Sequence, residues 1–245
     1  MRGFHAPQWL LFYGGILAAW LMLFLMAFSA PERAFSRIYG AEFWGEICAV
    51  DVADAGFSGV ILMWLLMSAA MMAPTFVPSL RVFADLSHKQ QGKGFGALIT
   101  GYLLVWAGFS VLAALLQMWL AGQGWLMGDR ISVGWLNAGV LFAAGLYQFT
   151  ALKDACLSKC RAPLTFFMQY WAKGPLNMGL RLGLVCVGCC WALMLLGFVG
   201  GVMNLLWMGL ATLLMVLEKL PEIGRYVTRP LGVILIFSAA IVALV

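Results

Sequence analysis

The sequence predicts an all-α fold, a polytopic membrane helix bundle of about seven transmembrane helices. Three observations carry this. Hydrophobic residues make up 64% of the chain and charged residues only 10%, against about 25% charged in an average soluble protein. The apolar runs are continuous rather than alternating, which suits helices and not barrel strands. Several runs also exceed the roughly 20 apolar residues that cross a bilayer as a helix. Residues 1–245 read as a single transmembrane domain, with no repeat, low-complexity tract or soluble domain.

Taken in order, the first run, 8–29, begins beside Arg2 and His5. Its apolar core is about twice as long as that of a secretory signal, so it reads as a retained helix. The segment 30–56 is the longest outer loop. It carries Glu32, Glu42, Glu46, Asp51 and Asp54, with Phe35, Ile38, Tyr39, Phe43, Trp44 and Ile47 at roughly helical spacing. An amphipathic helix on the outer surface fits, and so does a folded cap on the bundle. Runs 57–80, 96–120 and 132–152 follow, the first two separated by a short polar loop at 81–94. A longer loop, 153–179, is broken by Pro163 and Pro175. From 180 to 219 the chain is apolar throughout, too long for one span. Gly197-Phe198-Val199-Gly200-Gly201 predicts a hairpin turn there, between spans 180–199 and 202–219. A small-residue packing face is the alternative. The last run, 229–245, is bounded by Thr228-Arg229-Pro230.

Basic residues orient such a bundle, because cytoplasmic loops carry the excess of Lys and Arg. With seven spans and the N-terminus inside, the cytoplasmic segments hold Arg2, Arg81, Lys89, Lys93, Lys153, Lys159, Arg161, Lys173, Arg181, Lys219, Arg225 and Arg229, twelve of the fifteen. Outside are Arg33, Arg37 and Arg130. This predicts a multi-pass plasma-membrane protein with a cytoplasmic N-terminus. The net charge of +5 is then an orientation signal. A nucleic-acid partner needs a basic soluble domain, and the sequence has none. The partner that composition names is the lipid bilayer.

Five of the six cysteines lie between Cys156 and Cys190. They form two clusters, Cys156-Leu-Ser-Lys-Cys160 and Cys186-Val-Gly-Cys189-Cys190. Residues four apart share a helix face, so Cys156 pairs with Cys160 and Cys186 with Cys190, and Cys189 lies three from Cys186. Both clusters fall at the cytoplasmic side, where they can meet. Four converging thiolates suit zinc, and two or three suit copper(I). In a reducing cytosol such clusters are metal-binding or catalytic more often than disulfide-bonded. The bland alternative is five buried, inert cysteines, since a free cysteine is a small hydrophobe. Cys48 stands alone on the outer side.

Fifteen methionines add a second soft feature. Met63, Met67 and Met71 form a stripe on the second span, and Cys186, Cys190 and Met194 form another on the fifth. Thioethers favour copper(I), although methionine is also a common gap filler between helices. No Asp or Glu is placed at mid-membrane depth, where a proton-coupled transporter usually needs one. The only histidines are His5 and His88, so a bis-histidine haem site in the bundle is excluded. Hydrolase and phosphate-loop motifs are absent from the sequence. Tyr147, Gln148, Asn204, Glu218 and Lys219 mark helix ends, as packing contacts or as supports for metal ligands.

Several motifs occur in order. They are Met63-Trp64-Leu65-Leu66-Met67-Ser68-Ala69-Ala70-Met71-Met72-Ala73-Pro74, Gly145-Leu146-Tyr147-Gln148-Phe149-Thr150-Ala151-Leu152-Lys153 leading into Cys156-Leu157-Ser158-Lys159-Cys160-Arg161-Ala162-Pro163, Gly188-Cys189-Cys190-Trp191-Ala192-Leu193-Met194, Gly201-Val202-Met203-Asn204-Leu205-Leu206-Trp207-Met208, and Glu218-Lys219. Together, over about 57–219, they resemble a bacterial family of predicted metal-binding integral membrane proteins, sometimes labelled copper chaperones. The resemblance implies metal handling.

The sequence reading is therefore soft-metal binding, copper(I) first and zinc second, at a thiol cluster near the cytoplasmic face. The candidate ligands are Cys156, Cys160, Cys186, Cys189 and Cys190, with Met67, Met71 and Met194 as secondary ones. A metal-donor or acceptor protein, or a larger membrane complex, is the expected partner. A membrane thiol–disulfide oxidoreductase, possibly quinone-linked, is the main alternative, because vicinal Cys189-Cys190 and the Cys186-x-x-Cys189 spacing suit thiol exchange. A structural subunit with inert cysteines is the third.

Overall fold

The structure is a computed structural model and describes residues 7–27, 56–87, 91–127 and 129–244. Three long helices come first: α1 (Pro7–Ala27), α2 (Phe57–Leu86) and α3 (Gln91–Gly122). A two-residue antiparallel hairpin follows, β1 (Leu126–Met127) with β2 (Arg130–Ile131), Leu126 opposite Ile131. Then come α4 (Gly134–Tyr147), α5 (Ala151–Arg161), α6 (Pro163–Tyr170) and a 3-10 turn at Trp171–Lys173. The chain ends with α7 (Pro175–Leu195), the single turn α8 (Gly197–Gly200), α9 (Leu205–Lys219) and α10 (Gly224–Leu244). The segment 30–56, apart from Gly56, lies outside the described residues, and so does Cys48.

The helical membrane class stands, but helix length does not confirm the count of seven. Five stretches are long and apolar enough to cross: Pro7–Met26, Phe57–Leu86, Gly94–Gly122, Pro175–Gly200 and Tyr226–Leu244. Helix α4 has 14 residues and α9 has 15. At about 1.5 Å per residue each falls short of a hydrocarbon core roughly 30 Å thick. The apolar runs overstate both helices because their ends turn. Gln148–Thr150 leave α4 before α5 begins, and the chain reverses at Gly201–Asn204 before α9. Even so, α4 and α9 run between the same two ends of the bundle. At one end the Val202 N–H donates to the Asp129 carbonyl at 3.0 Å, joining the hairpin to the start of α9. At the other, Lys153 beyond α4 meets Glu218 at the close of α9.

The break expected around 197–201 is present, shifted toward its C-terminal end. Gly201 takes the left-handed region, φ +97°, which glycine adopts without steric cost. Asn204 then caps α9, its side chain accepting from the Trp207 N–H at 3.1 Å, as an N-cap residue does.

Small residues bring the helices together. In lipid, helices associate through close packing rather than hydrophobic burial. Helices α3 and α7 touch at Gly101, Gly179 and Gly183. A methyl group on Gly101 would lie 2.8 Å from the Leu180 nitrogen, one on Gly179 3.1 Å from the Tyr102 nitrogen, and one on Gly183 2.9 Å from Val105 Cβ. The pair Gly179-x-x-x-Gly183 is thus the close-packing face of this bundle. Between α2 and α3, Trp64 Nε1 donates to Gln117 Oε1 at 2.7 Å, and Ser68 and Ser110 hydroxyls lie 2.9 Å apart.

Pro74 and Pro78 lie within α2. Proline has no N–H, so the carbonyl four residues earlier loses its helical partner. For Pro74 that carbonyl is Ala70, and Trp20 Nε1 of α1 donates to it at 3.1 Å. The outer surface is apolar, with Leu17 and Leu21 on α1 and Ile234, Phe237 and Ile241 on α10 all exposed. An exposed apolar surface of this extent matches lipid.

Gly179→Ala is expected to destabilise the bundle by about 1–3 kcal/mol, because the added methyl meets rigid backbone of α3. Gly139→Ala on α4, where nothing lies within 4 Å, is expected to do no harm. Unfolding midpoints in detergent micelles check this; equal midpoints for the two variants would refute the close crossing.

Candidate metal centre

Helix α5 is the polar element that carries the first thiol pair. The Thr150 side chain caps it, accepting from the Lys153 N–H at 3.3 Å. Asp154 lies in its first turn and Lys159 and Arg161 in its last, each favourable to the helix dipole. Ala162 closes it before Pro163, as expected of a residue preceding proline. Cys156 and Cys160 share the face turned to α7. The Cys156 sulfur packs over Gly188, where an added Cβ would lie 2.7 Å from it. Partial burial pushes the Cys156 thiol up from its ordinary pKa, while the nearby Lys159 pulls it down.

Cys160 Sγ reaches Cys189 Sγ across the helix boundary at 3.9 Å. The two sequence clusters therefore meet. On α7, Cys186, Cys189 and Cys190 are buried, and their sulfurs all lie within 4.8 Å of one another. Cys189 and Cys190 sulfurs are 3.3 Å apart, and the Cys189 thiol donates to the Cys186 carbonyl at 3.1 Å. All five described cysteines are free thiols.

Cys186 has the most polar surroundings. Lys219 Nζ of α9 lies 3.0 Å from its sulfur, and the Tyr102 hydroxyl of α3 also lies at 3.0 Å. Lys219 donates to Thr75 Oγ1 of α2 as well, at 2.7 Å. Tyr102 is held by stacking on Phe76, 4.1 Å between ring centres. Helices α3 and α9 thus meet α7 at one sulfur, and α2 anchors the lysine through Thr75. An ammonium beside a sulfur is the electropositive surrounding that favours a reactive, metal-binding cysteine, while the Tyr102 hydroxyl also donates to the Met72 carbonyl at 3.3 Å. A small cavity of about 10 Å³ opens beside it, lined by Thr75, Phe76, Ser79, Tyr102, Cys160, Leu182, Cys186 and Lys219. It has room for about one water-sized guest.

Next to the thiols lies a buried ion pair. Lys153 Nζ sits 2.9 Å from both Glu218 oxygens, with exposures of 0% and 1% for the two side chains. Lys153 also donates to Gln148 Oε1. Arg161 Nε donates to the Glu218 carbonyl at 2.9 Å. The Tyr147 hydroxyl donates to the Gly188 carbonyl, and its ring meets Trp191 edge-on at 5.0 Å. The sequence counts Lys153 and Lys219 among the orientation charges and leaves Glu218 at a helix end. In the structure Lys153 and Glu218 are interior groups, and Lys219 contacts a candidate ligand.

The three secondary candidates are buried too, Met67 at 2%, Met71 at 3% and Met194 at 1% exposure. Met71 lies one helical turn before Thr75, the residue that meets Lys219, and Met67 lies two turns before it. Met194 lies one turn beyond Cys190. Tyr102 and Thr75 are the contacts that sequence reasoning missed. Each is an ordinary helix residue whose only sequence signal is a neighbour: Gly101 before Tyr102, and Pro74 before Thr75.

Fold and site together define a polytopic helical membrane protein with a buried thiol cluster suited to a soft metal. Residues 61–242 match the model of the PpoB2 family, described as copper chaperone. The match covers most of the chain, which belongs to this copper chaperone family. No curated protein and no solved structure matches it.

The ion pair gives a direct test. Removing one partner of a buried pair costs about 3–5 kcal/mol, whereas replacing both by apolar groups is often neutral. Glu218→Leu and Lys153→Met are each expected to lower the unfolding midpoint sharply, and the double variant that combines these two changes to recover most of the loss. Additive losses in the double variant would show that the two side chains act separately.

Proposed function

We propose that this protein binds copper(I) through its converging thiols and hands it on, to a partner protein or across the membrane. Cys160, Cys186, Cys189 and Cys190 form the core of the site. Cys156 stands beside them over Gly188, and Met67, Met71 and Met194 serve as thioether stations along α2 and α7. The observation that carries this reading is the contact between Cys160 of α5 and Cys189 of α7, beside a sulfur that faces both Lys219 and Tyr102. Sulfur-only donor sets select copper(I) among the common intracellular metals, and zinc is the competitor when four thiolates close around it. The family description supports copper.

The proposal places the site at the cytoplasmic face of a bacterial inner membrane. Helices α4 and α9 complete seven crossings, helped by their flanking turns, and the N-terminus faces the cytoplasm. The excess of basic residues in segments 81–94, 153–179 and 220–229 supports this orientation even with the buried Lys153 and the site-facing Lys219 set aside. Labelling of single cysteines introduced at Ser132 and Lys173 in intact cells checks it. Position 132 is expected to react from outside and position 173 only after permeabilisation, and the reverse pattern would invert the topology.

Titration of the purified protein with buffered copper(I) and with zinc tests the metal. Cys186→Ser and Cys189→Ser are expected to lower copper(I) affinity at least about 10–100-fold. Affinity should fall as pH falls, because protons compete for thiolate sulfur. Met71→Leu and Met194→Leu are expected to weaken copper(I) and leave zinc nearly unchanged, because thioethers are soft ligands. Equal loss for both metals would rule out thioether ligation. Absence of binding by the wild type, together with rapid quinone-driven disulfide formation at Cys189 and Cys190, would establish the oxidoreductase instead.

A further inference from the structure

The five described thiols differ in how deeply they sit. Cys186, Cys189 and Cys190 are 2%, 1% and 1% exposed, whereas Cys156 and Cys160 of α5 are only partly buried. Helix α5 turns a polar face outward, with Asp154, Ser158 and Lys159 exposed. Cys156 has a place made for it on α7. Its sulfur fills the space a side chain at 188 would take, 2.7 Å from where a Cβ on Gly188 would lie, and the Tyr147 hydroxyl holds the Gly188 carbonyl. From there the sulfurs form a series leading inward. Residues four apart on a helix have Cβ atoms roughly 5–6 Å apart, which sets Cys156 beside Cys160. Cys160 Sγ lies 3.9 Å from Cys189 Sγ, and Cys189 Sγ 3.3 Å from Cys190 Sγ. Sulfurs that share one metal stand at most about 4.6 Å apart, twice the zinc–sulfur bond, so a single ion can span either of these two gaps.

We infer that Cys156 is the entry thiol of the site: it takes copper(I) from a soluble thiol carrier and passes it through Cys160 to Cys189 in the buried cluster. The inference rests on the copper(I) reading and gives it an order of events. Each step is a ligand exchange. An incoming cysteine sulfur bonds to the ion, the bond to the departing sulfur breaks, and the proton of the incoming thiol goes to the sulfur that leaves. Copper stays in the +1 state throughout, so no oxidant or reductant takes part. A carrier cannot reach the Cys189 sulfur directly, because that residue is 1% exposed. The exchange therefore has to begin at a thiol that solvent reaches, and α5 supplies two. Cys160 already touches Cys189 and lines the inner cavity, so it is the inner of the pair. Cys156 is the outer one. Gly188 lets its sulfur rest against α7, one residue from Cys189, rather than stand away in solvent.

Stopped-flow loading of full-length protein in detergent from copper(I)–glutathione, and release to a chromophoric copper(I) chelator, test this. Cys156→Ser is expected to slow both loading and release by about tenfold or more, within the roughly 1–3 decades that association rates span among variants of one interface. It is expected to lower affinity less than Cys189→Ser does. A thiol lost from the path slows both directions, whereas a ligand lost from the final site speeds release. Gly188→Ala keeps every thiol but pushes the Cys156 sulfur from its seat, and is expected to slow loading as well. Size-exclusion profiles identify a variant that misfolds. In metal-free protein, a water-soluble maleimide is expected to label Cys156 before Cys189 and Cys190. Loading of Cys156→Ser or of well-folded Gly188→Ala at the wild-type rate would overturn the entry role and leave the copper(I) site standing. The same follows if Cys156→Ser releases copper(I) faster and loses as much affinity as Cys189→Ser, or if maleimide labels Cys189 first. A wild-type protein that binds no copper(I) would overturn both readings.

Discussion

Two helices that meet through glycine approach more closely than any larger side chains allow, and the crossing of α3 and α7 rests on three such residues. Gly101 immediately precedes Tyr102, and Gly183 lies three residues before Cys186. The closeness of the backbones is what lets the Tyr102 hydroxyl come within 3.0 Å of Cys186 Sγ. A looser crossing would move Tyr102 away from the sulfur and open the apolar packing of Phe76 and Leu182 around the cavity. In the bilayer no hydrophobic force would draw the helices back together. Chemistry at the thiols is thus set by the absence of side chains one turn away.

The second support is polar and comes from a single helix end. Consecutive residues of α9 act on different neighbours. Glu218 binds Lys153 at the start of α5, the helix that presents Cys156 and Cys160. Lys219 reaches Cys186 on α7 and Thr75 on α2. The elements that bring thiols to the site are therefore referenced to one dipeptide. Buried charges of this sort contribute little net stability against an apolar replacement. Their value here is geometric, because they fix which faces of α5 and α7 look at each other.

Much of this was legible in the amino-acid sequence. Apolar runs located the long helices, because twenty such residues have few places to go except a membrane. The four-residue spacing of Cys156 and Cys160, and of Cys186 and Cys190, put each pair on a face, and sulfurs of the two clusters do meet at 3.9 Å. Other features were hidden for identifiable reasons. Helices α4 and α9 looked longer than they are because the turning residues at 148–150 and 201–204 are all uncharged and read as a continuation. Lys153 resembled every other basic residue outside a span, and only its pairing with a glutamate 65 positions away marks it as interior. Tyr102 and Thr75 carry no motif. Their importance comes from what two other helices place against them, and no local pattern encodes that.

The adjacency of Glu218 and Lys219 also constrains how α9 can sit about its own axis. Neighbouring residues on an α-helix point about 100° apart. One direction is claimed by the α5 lysine and the other by the α7 sulfur, so the helix has a single rotational setting that satisfies both. Rolled by one residue, it would turn its acid or its base toward hydrocarbon. Fifteen residues give lipid little length by which to hold a helix in register. In α9 that hold is angular rather than axial, and the dipeptide works as a key cut on two sides.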